Sequence, residues 1–279
     1  MNKEESRQAL EAESRELAGV ISAAIREAER SSRLEPLVTP DVRNAIGRLS
    51  FLVQHDPPVM RIIDVYALAY LLYRRHALGI AEPGEFAFAV RLFSDLSQAL
   101  PDRIPEPVGL LLLARDGRID SETYDAAAVI EAAALLAEYG ADAGDDEALG
   151  RAEALEQDML GRLPVDHPHR AVVLNNLTSL MVLKSRRSGV PLDSDLIRTR
   201  ADELLDAAEQ SPYSVGLVIT VADLLTCAGS ASEIGPPLAR TLNLLRRARA
   251  GELEEGLRQK VLLMLGRLLS QFPNASGNP

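Results

Sequence analysis

The sequence has no tryptophan, and aromatic residues make up only 4% of it. The hydrophobic fraction of 47% therefore rests mainly on Leu and Ala. These residues suit helix-on-helix packing, where small side chains let helices approach and Leu fills the gaps. That fraction supplies a sizeable core and excludes general disorder. Strand signals are also lacking: no apolar–polar alternation is seen, and no Asn-Gly or Asp-Gly turn lies between β-branched runs. Cysteine occurs once, at Cys227, so no internal disulfide can form and a reducing compartment is expected. Cys227 ends the apolar run from Val221. It reads as a small core residue, or as a nucleophile whose base would have to come from afar, since no histidine is near it in sequence.

Positive charge is in short supply. Thirty Lys and Arg face 41 Asp and Glu, giving a net charge of −11. That balance argues against nucleic acid as the main ligand and against an anionic membrane surface, and it suits a basic partner. No apolar run is long enough to span a bilayer: Val108–Ala114 is short, and Glu131 interrupts Ala126–Ala137. Met1-Asn2-Lys3-Glu4-Glu5 opens a charged segment, not an export signal, so a cytoplasmic location is expected.

Catalytic signatures are missing as well. The sequence has no P-loop, no Gly-x-Ser-x-Gly, no Asp-Asp-x-x-Asp, and no Glu three residues before a histidine. No catalytic residue, cofactor or metal site is assigned on this basis, and a non-enzymatic role is favoured. His167 and His169, beside Asp166, invite a metal reading. The competing reading is a turn in which Asp166 caps and Pro168 opens the next helix. The doublets Arg74-Arg75, Arg186-Arg187 and Arg246-Arg247 read as solvated cations near helix ends.

What remains reads at helical period almost throughout. Leu10, Leu17, Val20, Ile21, Ala24, Ile25 and Ala28 share one face of a helix over residues 3–31. Thr39-Pro40-Asp41 starts a helix to Gln54, and Pro58 starts an apolar one to His76, closed by Gly79. Pro83-Gly84-Glu85 restarts the chain, and the segment after Pro105 and Pro107 is a short helix ending near Arg115. Asp120 or Ser121 caps the next helix, Gly140–Gly144 forms a turn, and Asp145 caps a helix to Leu163. Further helices are expected from Ala171, over residues 193–210, from Val215 to Cys227, from Gly235 to Ala250, and through Leu257–Phe272. The expected organisation is an aromatic-rich helical region over 1–118, helix pairs over 119–273, and a disordered tail over 274–279.

The stretch Leu163-Pro164-Val165-Asp166-His167-Pro168-His169-Arg170, followed by Ala171-Val172-Val173-Leu174-Asn175-Asn176-Leu177, resembles the tetratricopeptide repeats of actinobacterial proteins. Leu174 and Leu177 match the packing places of a first helix, with Thr178 where Gly is usual and Met181 where Tyr is usual. Ala201, Leu205 and Ala208 match the small–large–small face of a second helix, Pro212 the closing turn, and Ala152 the preceding second helix. The resemblance implies an all-α fold, an α-α superhelix of stacked antiparallel helix pairs with a concave surface lined by first helices. Proteins of this kind bind extended peptides or partner helices there, so the implied function is an adaptor or regulatory scaffold with a protein or peptide partner. The residues it implies for partner contact are Asn176 and its polar neighbours Arg170, Asn175, Ser179 and Lys184; a merely solvated polar face is the competing reading. Two alternatives stand beside the scaffold. One is an all-helical enzyme or small-ligand protein with Tyr66, Tyr70, Tyr73, Phe86 and Phe93 around a pocket. The other is a homo-oligomer paired through the residue 3–31 helix.

Overall fold

The computed structural model describes residues 3–57, 60–119, 122–210, 214–228, 234–251 and 253–273, and among them it is all-α, without strands. Twelve α-helices follow one another among the described residues: α1 (Lys3–Ser31), α2 (Pro40–His55), α3 (Ile62–Ala77), α4 (Glu85–Leu96), α5 (Glu106–Arg115), α6 (Ala126–Ala143), α7 (Asp146–Arg162), α8 (Arg170–Ser188), α9 (Ser194–Gln210), α10 (Ser214–Leu225), α11 (Gly235–Ala250) and α12 (Glu255–Gln271). Among the described residues no helix is long and apolar enough to cross a membrane. The chain divides into two compact units. One comprises the segment up to Arg118 together with Glu138–Ala148, and the other comprises Ile119–Ala137 and the chain from Leu149 onward.

In the first unit, α1 turns Ile21, Ala24, Ile25 and Ala28 onto a core shared with Leu68, Leu71 and Leu72 of α3 and Phe93 of α4. Thr39 caps α2 by accepting from the Val42 amide at 3.3 Å. Helix α3 starts at Ile62, four residues after the proline expected to open it; residues 58 and 59 lie outside the described ones. Its start is fixed by Asp64, which is fully buried and accepts from Arg61 Nη2 at 2.5 Å, Arg61 Nε at 2.9 Å and Ser14 Oγ at 3.2 Å. Ile62 and Ile63 are left exposed in that first turn.

Gly79 and Gly84 supply left-handed backbone at the end of α3 and the start of α4 (φ +69° and +84°), which L side chains adopt only with strain. Arg75 is not the solvated cation its doublet suggested. It is buried, with Nε donating to Glu85 at 2.8 Å and Nη1 donating to the Leu37 carbonyl at 2.8 Å. Phe93 meets Tyr66 and Tyr73 edge-on, so these rings pack on one another in the core. The end of α6 also serves this unit. Asp142 accepts from the Gly84 and Ala87 amides at 2.6 and 2.8 Å, and Glu138 meets Nε2 of His76, whose ring stacks on Phe86. Helix α6 therefore continues through Gly140, and the turn expected there is confined to Gly144 at φ +71°.

In the second unit, Asp125 caps α6 by accepting from the Ala128 amide at 2.9 Å; the expected caps, Asp120 and Ser121, lie outside the described residues. Asp193 caps α9 through the Asp195 and Leu196 amides. Between α7 and α8, Arg170 donates to the Leu160 and Leu163 carbonyls and closes the end of α7. From α8 onward each helix lies beside the next, and α8, α10 and α12 also adjoin one another in turn, as α9 adjoins α11. The helices thus alternate between two layers. Their shared core is built by Ile197, Leu204 and Leu205 of α9, Val221, Leu224 and Leu225 of α10, Leu238, Leu242 and Leu245 of α11, and Val261, Leu265 and Leu268 of α12. The closing turn matched to Pro212 and the tail expected to be disordered lie outside the described residues.

Candidate functional site

Alternating layers give α8, α10 and α12 a common outer face, and each helix brings a stripe to it. On α8 the stripe is Ser179, Val182, Leu183 and Arg186. On α10 it is Ile219, Thr220 and Asp223, with Thr226 just past the helix end facing the adjoining hollow. On α12 it is Lys260, Leu263, Met264 and Arg267. The spacing of three, four and seven residues places each set along one side of its helix. Together they line an open groove of about 500 Å³. It continues past Arg186, Leu263 and Arg267 into a wider hollow of about 870 Å³, edged by Leu262, Gly266, Ser270 and Gln271.

The groove floor is apolar and incompletely covered: Leu263 is 51% exposed, and Leu262, at the edge of the adjoining hollow, 43%. Large apolar side chains grouped in a concavity, rather than scattered singly, mark interaction sites. Its rim is cationic. Arg186, Lys260 and Arg267 surround a single lining carboxylate, Asp223. Arg186 grips Asp223 with both terminal nitrogens at 2.9 and 2.7 Å and reaches Thr226 Oγ1 at 3.0 Å, and the bond to Asp223 holds its guanidinium more firmly charged. Arg267 approaches the same carboxylate at only 3.7 Å. Cys227 lies below, half-buried, its Sγ 3.9 Å from the Asp223 carbonyl. Burial pushes its thiol up, away from the thiolate that nucleophilic chemistry needs.

The residues expected to contact a partner fall in different places. Ser179 is exposed and lines the groove. Lys184 pairs with Glu153 of α7 at 2.6 Å, Asn176 donates to Glu156 of α7 at 2.7 Å, and Arg170 is engaged with the α7 carbonyls. Asn175 Oδ1 is buried without a hydrogen-bond partner among the described residues. Thr178, in the place where the resemblance expects Gly, is fully buried and returns its hydroxyl to the Leu174 carbonyl. Helix α8 thus turns Asn176 and Lys184 toward α7 and Ser179, Leu183 and Arg186 toward the groove.

Lys260, Leu263 and Arg267 were not singled out from sequence, and Arg186, read there as a solvated helix-end cation, is instead held by Asp223. The signal was present on α12, where Lys260, Leu263 and Arg267 form a second stripe beside the inward Val261, Leu265 and Leu268. At the turn before α8 the His169 amide donates to His167 Nδ1 at 3.2 Å, and the helix begins at Arg170 behind His169 with no side-chain cap, so Asp166 does not cap it as the turn reading expected. Among the described residues no group of three or more His, Cys, Asp or Glu is placed to hold a metal ion. No family model, curated protein or solved structure matches the chain.

Proposed function

We propose that the chain is a protein- or peptide-binding scaffold, that α7–α12 form a tetratricopeptide-like superhelix, and that its docking surface is the face shared by α8, α10 and α12. One observation carries the reading: three successive helices of a single layer line one open groove with an uncovered apolar floor. A groove of that shape accepts a segment laid along it, whereas a small-molecule site encloses most of its ligand. Ser179 belongs to this surface, and the polar residues of α8 that bond to α7 orient the helix that carries it.

The test is site-specific photo-crosslinking. A photoreactive residue at position 263 should capture a discrete protein partner in extracts of the native cell. The same residue at position 203, on the exposed side of α9, should not. Equal capture at both positions would remove the groove from consideration.

A further inference from the structure

The groove's charge is opposite to that of the chain around it. Overall, 41 acidic residues outnumber 30 basic ones, yet the groove lining holds three cations and one carboxylate. The other layer is nearly balanced, with six cations and five carboxylates on α9 and α11 against seven cations and two carboxylates on α8, α10 and α12. There Arg240 of α11 is met by Asp202, Asp206 and Glu209 of α9 at 3.5, 2.8 and 3.0 Å. Positive potential is therefore concentrated on the α8–α10–α12 face.

The cations are also spaced. Lys260 and Arg267 stand seven residues apart on α12, about 10 Å along its axis at 1.5 Å per residue, with Leu263 between them. Arg186 faces them from α8, already oriented by Asp223 and Thr226. Lys260 is exposed, with no ion-pair partner among the described residues, and the Arg267–Asp223 approach of 3.7 Å is beyond hydrogen-bond reach. Two cations with donors to spare, separated by an uncovered leucine, are complementary to two carboxylates flanking an apolar side chain. Three cations are too few to follow a polyphosphate backbone, whose binding grows with each phosphate neutralised.

Resting on the docking reading above, we propose that the groove's occupant is an acidic amphipathic segment of a partner protein. It sets an apolar anchor on Leu263 and carboxylates against Lys260 and Arg267. The shared field also raises the encounter rate and disfavours basic segments.

The experiment is a selection from displayed random peptides, each about four helical turns long, on the full-length chain, followed by fluorescence anisotropy of the enriched peptides. The enriched peptides should be net acidic with an aliphatic or aromatic residue between their acids. Affinity should fall about tenfold or more with the K260E/R267E double variant, and reselection on that variant should enrich basic peptides. Leu263→Asp, or Ser179→Trp filling the groove from α8, should abolish binding. All four positions are exposed, and melting followed by circular dichroism checks that each variant folds. Peptides lost with Leu263→Asp or Ser179→Trp but indifferent to K260E/R267E would overturn the acidic partner and leave the docking surface standing. No enrichment, or peptides indifferent to every groove variant, would overturn both.

Discussion

Glu156 is completely buried, receives one hydrogen bond, from Asn176, and has Oε2 without a partner among the described residues. Burial raises its carboxyl from 4.5 to about 7, against the smaller opposite pull of the Asn176 bond. Between those values the folded chain holds a proton that the unfolded chain has released, so stability falls as pH rises through that window. At about 1.4 kcal/mol per unit, the loss amounts to roughly 3 kcal/mol by pH 8. Glu156→Gln keeps the acceptor for Asn176 and removes the ionisation. Urea unfolding should find it more stable than the parent by about 2–3 kcal/mol at pH 8 and indistinguishable from it near pH 4.5. A gain independent of pH would mean that Glu156 does not titrate there. Its burial was legible in principle: Leu149, Ala152, Glu156 and Met159 run along one apolar stripe of α7, and a carboxylate on such a stripe is turned inward by its neighbours.

Local chemistry sets where several elements begin, and contacts between elements that are distant in sequence set the rest. Asp193 caps α9 from the residue just ahead of the helix, so sequence alone identifies it. Asp142 does the same work for α4 from a helix more than fifty residues downstream, and no spacing rule could reveal that. The early start expected for α3 fails for a similar reason, since Asp64 is held by Ser14 of α1 as well as by Arg61. Asp193→Ala should cost about 1 kcal/mol and Asp142→Ala about 1–2 kcal/mol in chemical denaturation. The two are distinguished by hydrogen exchange: Asp142→Ala should expose the Gly84 and Ala87 amides, and Asp193→Ala those of Asp195 and Leu196. A loss of protection at Gly84 and Ala87 no greater than at Asp195 and Leu196 in the Asp142 variant would count against the long-range cap.

Helical period, proline and glycine punctuation, and the small–large–small faces made the all-α fold readable along most of the chain. The groove was less readable because it depends on which helices of a layer become neighbours. Arg186, an ordinary helix-end cation in sequence, becomes part of a site only when α10 brings Asp223 to it and α12 brings Arg267. The same grouping governs stability. One hydrophobic cluster is built from α1 to α5, with Leu68 fully enclosed, and another from α8 to α12, with Leu204 fully enclosed. Removing either side chain to alanine leaves a cavity and should cost about 2–5 kcal/mol. Because each cluster draws on its own helices, the damage should be local by hydrogen exchange. Leu68→Ala should lower protection in α1–α4 and spare α9–α12, and Leu204→Ala should do the reverse. Helix α6, whose residues divide between the two units after Ala137, should lose protection in its later turns with the first variant and in its earlier turns with the second. If both variants instead lowered protection evenly along the whole chain, the two cores would unfold as one cooperative block.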